Sequence, residues 1–118
     1  MSGRIDVHTH LLPGVDDGCK TVEESIACAR VLVANGYSHA FCTPHIWHKF
    51  EGISRTSVPR MCATLQAELD KAEVPLKVLP GSELNLFLGV NKTPADEIVP
   101  LGLGKYVLVD LWAAELIT

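Results

Sequence analysis

The apolar positions of this chain change period several times, and each change marks an element. Arg4 to His8 alternates apolar and polar residues over a few positions, which reads as a short strand. After Thr21 the period becomes helical, with Val22, Ile26, Ala29, Leu32 and Val33 on one face. Thr21-Val22-Glu23-Glu24 has the form of a capping box, and Asn35-Gly36 is a helix stop. Ser38 to Thr43 is a second strand ending at Pro44, followed by a polar loop from His45 to about Thr56. Ser57 is placed to cap a second helix that tolerates Pro59 in its first turn and carries Met61, Leu65, Leu69 and Ala72 as an inner stripe. Pro75 ends it. Leu76 to Leu79 is a third strand with Pro80-Gly81-Ser82-Glu83 as its exit loop. Asn85 to Gly104 has no clear period beyond a short helix near Pro94 to Val99. Tyr106 to Leu111 is apolar up to Asp110, the pattern of a fourth, parallel strand covered on both faces.

Strands that alternate with helices predict an α/β fold, a parallel sheet or barrel of about four strands. The length of 118 residues makes this one domain, and 47% hydrophobic content argues for a packed core. The formal charge of −4, with its basic residues scattered, offers no footprint for nucleic acid or an anionic membrane surface. No apolar run is long enough to span a bilayer and no signal-peptide core follows Met1, so the expectation is a cytoplasmic protein without membrane insertion. The four cysteines, at 19, 28, 42 and 62, form no CxxC pair. Small buried thiols in a reducing compartment are the expectation, with Cys19 the more exposed.

The chemistry concentrates at the ends of strands. Asp6-Val7-His8-Thr9-His10 is followed by Leu11-Leu12-Pro13-Gly14-Val15-Asp16-Asp17-Gly18. Imidazole and carboxylate are ligands of first-row metals, and residues two apart on a strand share a face. Asp6, His8 and His10 can aim at one point, with Asp17 folding back from the loop. His45 follows the second strand, Glu83 the third, and Asp110 ends the fourth. Parallel α/β folds gather functional groups at this edge. Several of these residues have a second role open to them. Asp6 can orient an imidazole, Asp16 can serve a turn, and Asp110 can cap a following helix. His39 and His48 have no matching role, while Trp47 and Phe50 either line a substrate mouth or pack locally.

These segments, together with Thr43-Pro44-His45, Pro80-Gly81-Ser82-Glu83 and Lys105-Tyr106-Val107-Leu108-Val109-Asp110, resemble the PHP (polymerase and histidinol phosphatase) superfamily. The resemblance is to its bacterial tyrosine-phosphatase branch, the CpsB/CapC/YwqE-like proteins of capsule and exopolysaccharide regulation, and runs from Ile5 to about Leu111. It implies the N-terminal part of a distorted (β/α)7 barrel and hydrolysis of phosphomonoesters by metal-bound hydroxide. Up to three divalent ions are implied, manganese first, with iron, cobalt or zinc as alternatives. By position the metal ligands are His8, His10, Asp17, His45, Glu83 and Asp110, the last standing where the family has Glu. Asp6, Asp17 and His45 are the candidate catalytic side chains. The implied substrate is phosphotyrosine on a bacterial tyrosine kinase.

Later strands of the family supply a further His ligand, an Asp-x-His pair and phosphate-binding arginines that have no counterpart here. Residues 1–118 are therefore expected to be a partial domain, truncated after the fourth strand by a fragment boundary or a frame-shift. Two other readings stand beside the tyrosine phosphatase. One is a small-molecule phosphatase of histidinol-phosphatase type. The other is a catalytically incomplete folding or interaction module, which associates with its own copies through exposed barrel edges.

Overall fold

The computed structural model describes residues 3–46, 50–86 and 93–111. Its elements are β1 (Arg4–Thr9), α1 (Val22–Ala34), β2 (Tyr37–Cys42), β3 (His45–Ile46), α2 (Ser57–Lys71), β4 (Lys77–Pro80), β5 (Glu83–Leu86) and β6 (Leu108–Leu111). They form two three-stranded sheets, β1-β2-β4 and β3-β5-β6, with every pairing parallel.

The two sheets are one surface with a crease. β2 runs into β3 through Thr43-Pro44, and β4 into β5 through Gly81-Ser82. Cys42 pairs with Pro80 before the break and His45 with Glu83 after it, so the register is unchanged across the gap. The four strands expected from the sequence are therefore β1, β2/β3, β4/β5 and β6, neighbours in chain order. Pro44 and Pro80 lack the N–H that a ladder needs, which is why the pairing lapses here. Side-chain bonds to β1 and a backbone bond to β5 hold the creased segment. The Thr43 hydroxyl donates to Thr9 O at 3.0 Å and accepts from Thr9 N at 3.2 Å. Glu83 N donates to Pro44 O at 2.9 Å. A Cβ on Gly81 would lie 2.8 Å from Leu101 Cδ2 and 3.2 Å from Thr43 Cγ2, so any larger residue here requires Leu101 to swing aside and Thr43 to give a little.

α1 starts as expected: Thr21 Oγ1 accepts from Glu24 N at 3.2 Å. The Glu24 carboxylate reaches one residue further back than in a standard capping box, to Lys20 N at 2.6 Å. In α2 the expected cap is displaced. Ser57 is already helical, Thr56 at the N-cap makes no side-chain bond, and the capping pair is Ser54 with Ser57. Ser57 N donates to Ser54 Oγ at 3.0 Å and Ser54 N to Ser57 Oγ at 2.9 Å. Val58, Cys62, Leu65 and Leu69 form the buried stripe, flanked by Met61 and Ala72. They pack on Ala40, Cys42, Leu76 and Val78 of the sheet side, with Leu12 and Ala29 completing the core. Gln66 closes the open edge of β4, accepting from Val78 N at 2.9 Å and donating to Leu76 O at 3.0 Å.

Several expectations change. The polar loop after Pro44 opens with β3, and Glu83 begins a strand rather than sitting in an exit loop. The helix near Pro94 to Val99 is a single 3-10 turn, Ala95–Glu97. The fourth strand spans only Leu108–Leu111 and is not covered on both faces: Val109 is 51% exposed and Tyr106, before the strand, 78%. β6 has β5 as its one described neighbour in the sheet. Cys42 and Cys62 are buried thiols, but Cys28 is exposed on α1 and Cys19 is half-buried. The readings of Trp47, His48 and residues 112–118 fall outside the described residues.

Candidate metal centre

β1 and the residue after it deliver His8 and His10 with their Nε2 atoms 3.2 Å apart. Glu83 at the head of β5 sets its Oε1 3.2 Å from His8 Nε2 and 3.1 Å from His10 Nε2. Two ligand atoms each about 2.1 Å from one ion, and roughly 100° apart as seen from it, are separated by about 3.2 Å. The triangle of donors thus has the edge lengths of one face of a coordination shell. A second group joins it: His10, Asp16, Asp17 and His45 each offer a ligand atom, all within 4.8 Å of one another. His45 Nε2 is 3.2 Å from Asp17 Oδ1 and its Nδ1 is 3.1 Å from Glu83 Oε1. Glu83 Oε1 therefore meets a ring nitrogen of all three histidines.

That oxygen is the test of whether a cation fits. The Glu83 side chain is 5% exposed, yet Oε1 receives no hydrogen bond, because the ring nitrogens approach it at contact distance without donor geometry. A buried acceptor without a donor costs about 1–3 kcal/mol, and more when it is charged. A divalent ion would satisfy the oxygen and the imidazole lone pairs together. It would also balance the carboxylates of Asp16, Asp17 and Glu83. The donor set suits first-row metals, and the residues fit such an ion.

Two buried polar side chains orient the rings. Asp16 Oδ2 lies 2.9 Å from His10 Nδ1, and Asp16 also accepts from Gly18 N at 2.9 Å and His45 N at 3.1 Å. Burial pushes the Asp16 carboxyl upward, but the bonds from His10 and from the two amides outweigh it and hold it below the usual carboxylate range. The same bond to Asp16 raises His10 above the usual imidazole range despite partial burial, and the charges of Asp16, Glu83 and Asp17 add to it. With the Asp16 carboxylate as acceptor, Nδ1 is the nitrogen that carries the proton in the neutral ring, leaving His10 Nε2 toward Glu83. The loop can fold this closely because position 18 is glycine: a Cβ there would collide with the Cβ of His10.

Asn85 does for His45 what Asp16 does for His10. Its Oδ1 is 2.9 Å from His45 Nδ1 and its Nδ2 donates to Asp110 Oδ2 at 3.4 Å. With Nδ1 committed to Asn85, His45 Nε2 is left to face Asp17. The rings of His10 and His45 stack at 4.5 Å, and Phe50 stacks on His45 at 5.9 Å. Phe50, read from the sequence as mouth or packing, thus lies against a site histidine.

The structure brings His8, His10, Asp17, His45 and Glu83 together. Asp6 and Asp110 stand outside both groups. Asp6 Oδ1 accepts from His8 N at 3.1 Å, and Asp110 is separated from His45 by Asn85. Sequence reasoning missed Asn85, although the alternation of Glu83-Leu84-Asn85-Leu86 puts it on the face of Glu83 once that segment is read as a strand. Asp16 was legible only as an open choice, and here it orients a ring.

A parallel α/β sheet with an imidazole–carboxylate cluster at its strand ends defines the class: an α/β protein with a candidate metal site. The chain belongs to the capsular polysaccharide synthesis CpsB/CapC family, whose model matches residues 4–117. It is 33% identical over 107 residues to the tyrosine-protein phosphatase YwqE of Bacillus subtilis, covering 90% of this chain and 42% of that protein. It is 25% identical over 101 residues to CapC of Staphylococcus aureus, covering 80% of this chain and 34% of the relative. A solved structure from work on YwqE and on CpsB of Streptococcus pneumoniae, described as unique metal-dependent tyrosine phosphatases, superposes with a TM-score of 0.83 at 32% identity. That match covers 92% of this chain and 44% of the solved one. The chain thus spans less than half the length of the relatives it matches.

Proposed function

We propose that these residues serve a metal-dependent phosphomonoester hydrolase acting on phosphotyrosine in protein, a bacterial tyrosine kinase being the substrate and the cytoplasm its place. The observation that carries this is Glu83 Oε1, buried, without a hydrogen-bond donor and flanked by three imidazole nitrogens. The names of the relatives supply the reaction class. His8, His10 and Glu83 would hold one ion, and Asp17 and His45 would hold another, with Glu83 between them. Bound divalent ions, manganese by proposal, would acidify a water and screen the phosphoryl oxygens. Asp16 and Asn85 keep the imidazoles of His10 and His45 in the ligand-ready tautomer. Asp6 braces the turn of β1 through His8 N, and Asp110 acts through Asn85. Among the described residues no helix is long and apolar enough to cross a membrane.

The test is manganese binding by calorimetry, followed by turnover of a phosphotyrosine peptide and of a small phosphomonoester. Glu83→Gln is expected to weaken ion binding at least tenfold and to remove metal-dependent turnover, and His8→Ala to do the same. Preference for the small ester would favour the histidinol-phosphatase type. A chain that binds no manganese would sink the proposal.

A further inference from the structure

Outside the ion cluster, the described residues bring two thiols close together at the surface. Cys19 Sγ and Cys28 Sγ lie 3.8 Å apart. Both line a groove of about 760 Å³ between β1 and α1, open to solvent, whose α1 wall is Glu24, Ala27, Cys28, Val31 and Leu32. Cys28 is exposed and Cys19 half-buried, whereas Cys42 and Cys62 are buried in the core. The backbone under Cys19 is fixed: its N–H donates to His10 O at 3.1 Å and its carbonyl accepts from Gly14 N at 2.9 Å. Cys28 sits in the middle of a helix. Closing the sulfurs to a bonding distance of about 2.05 Å falls on side-chain rotation of both residues.

We propose that Cys19 and Cys28 are a modification site, a dithiol that low-molecular-weight disulfides convert reversibly to an intramolecular disulfide. Cys28, the accessible sulfur, attacks one sulfur of glutathione disulfide as thiolate and expels one glutathione. Cys19, losing its proton to solvent, then attacks Cys28 Sγ of the mixed disulfide and expels the second glutathione. Two protein thiols are oxidised, one small disulfide is reduced to two thiols, and excess glutathione reverses both steps. The closed pair staples the loop that carries Asp16 and Asp17 to the middle of α1, so it changes the ground on which the site is built. This is the kind of disulfide that is made and broken in reducing compartments. It rests on the sulfur geometry alone and holds or fails independently of the phosphatase reading.

The experiment equilibrates the full chain, without metal, in buffers of graded reduced-to-oxidised glutathione ratio, blocks free thiols and digests with trypsin. Cleavage after Lys20 and Arg30 places the two cysteines on separate peptides, residues 5–20 and 21–30. The expected product is these two peptides joined, lighter than their sum by two hydrogens, rising as the ratio falls and disappearing on return to reduced glutathione. Cys28→Ser abolishes it, Cys19→Ser leaves glutathione trapped on Cys28, and Cys42→Ser changes nothing. Persistent glutathione on Cys28 of the unsubstituted chain without the joined peptide overturns the proposal. So does a joined peptide that involves Cys42 or Cys62 to a similar extent.

Discussion

Asn85 is 2% exposed, and both ends of its amide are committed, one to His45 and the other to Asp110. Leucine has nearly the same shape and offers neither bond. Asn85→Leu should therefore cost about 1–3 kcal/mol in urea unfolding, because polar partners are left in a buried place. It should also weaken manganese binding about 10–100-fold, the usual penalty for losing a group that orients a ligand. An unchanged affinity would mean that His45 needs no orienting. At this scale the sequence was most readable where spacing alone set direction. His8 and His10 are two apart, so any strand puts them side by side. Asp16 and Asp17 were harder, since adjacent aspartates serve turns and ligands equally well and only the fold divides the roles. Asn85 was hidden by a mistaken element: read as part of a loop and an unpatterned stretch, it had no face to share with Glu83.

The elements were legible in proportion to their length. α1 and α2 run 13 and 15 residues and show a clear helical period. β3 has two residues, too few for a period to register, and the four of β5 follow so closely on Pro80-Gly81 that they read as a loop. They exist because the ladder of the preceding strands continues past the prolines, a tertiary cause that no local pattern carries. Caps tell the same story, since serines at 54 and 57 and threonines at 21 and 56 are equal candidates until the backbone is known. Thr21→Ala removes a cap bond to Glu24 N and should cost about 1 kcal/mol. Thr56→Ala removes no cap bond and should cost well under half of that. Thermal or urea unfolding of the two variants side by side checks the contrast, and equal losses would show that the capping assignment is wrong.

At the scale of the whole molecule, the apolar side chains left open among the described residues include Val31 on α1 and several on the outer strands. Ile5 and Val7 on β1 are 43% and 49% exposed, and Val109 on β6 is 51% exposed. Edges of this kind pair readily with other chains, and unlayered apolar faces bind one another. The chain is expected to associate with its own copies at high micromolar concentration. Replacing Val7 and Val109 together by lysine should lower the associated fraction several-fold in sedimentation velocity; a chain that stays monomeric from the outset would refute this. The crease in the sheet has a separate consequence. His45 and Glu83 occupy facing rungs of one parallel ladder, so the gap between their backbones is the interstrand spacing of about 4.8 Å. That spacing is cut by peptide hydrogen bonds and is the same whether or not an ion is near. The ladder is a gauge block, machined before the part arrives. An ion held by His45 and Glu83 would meet a backbone span already set, with only the two side chains left to adjust.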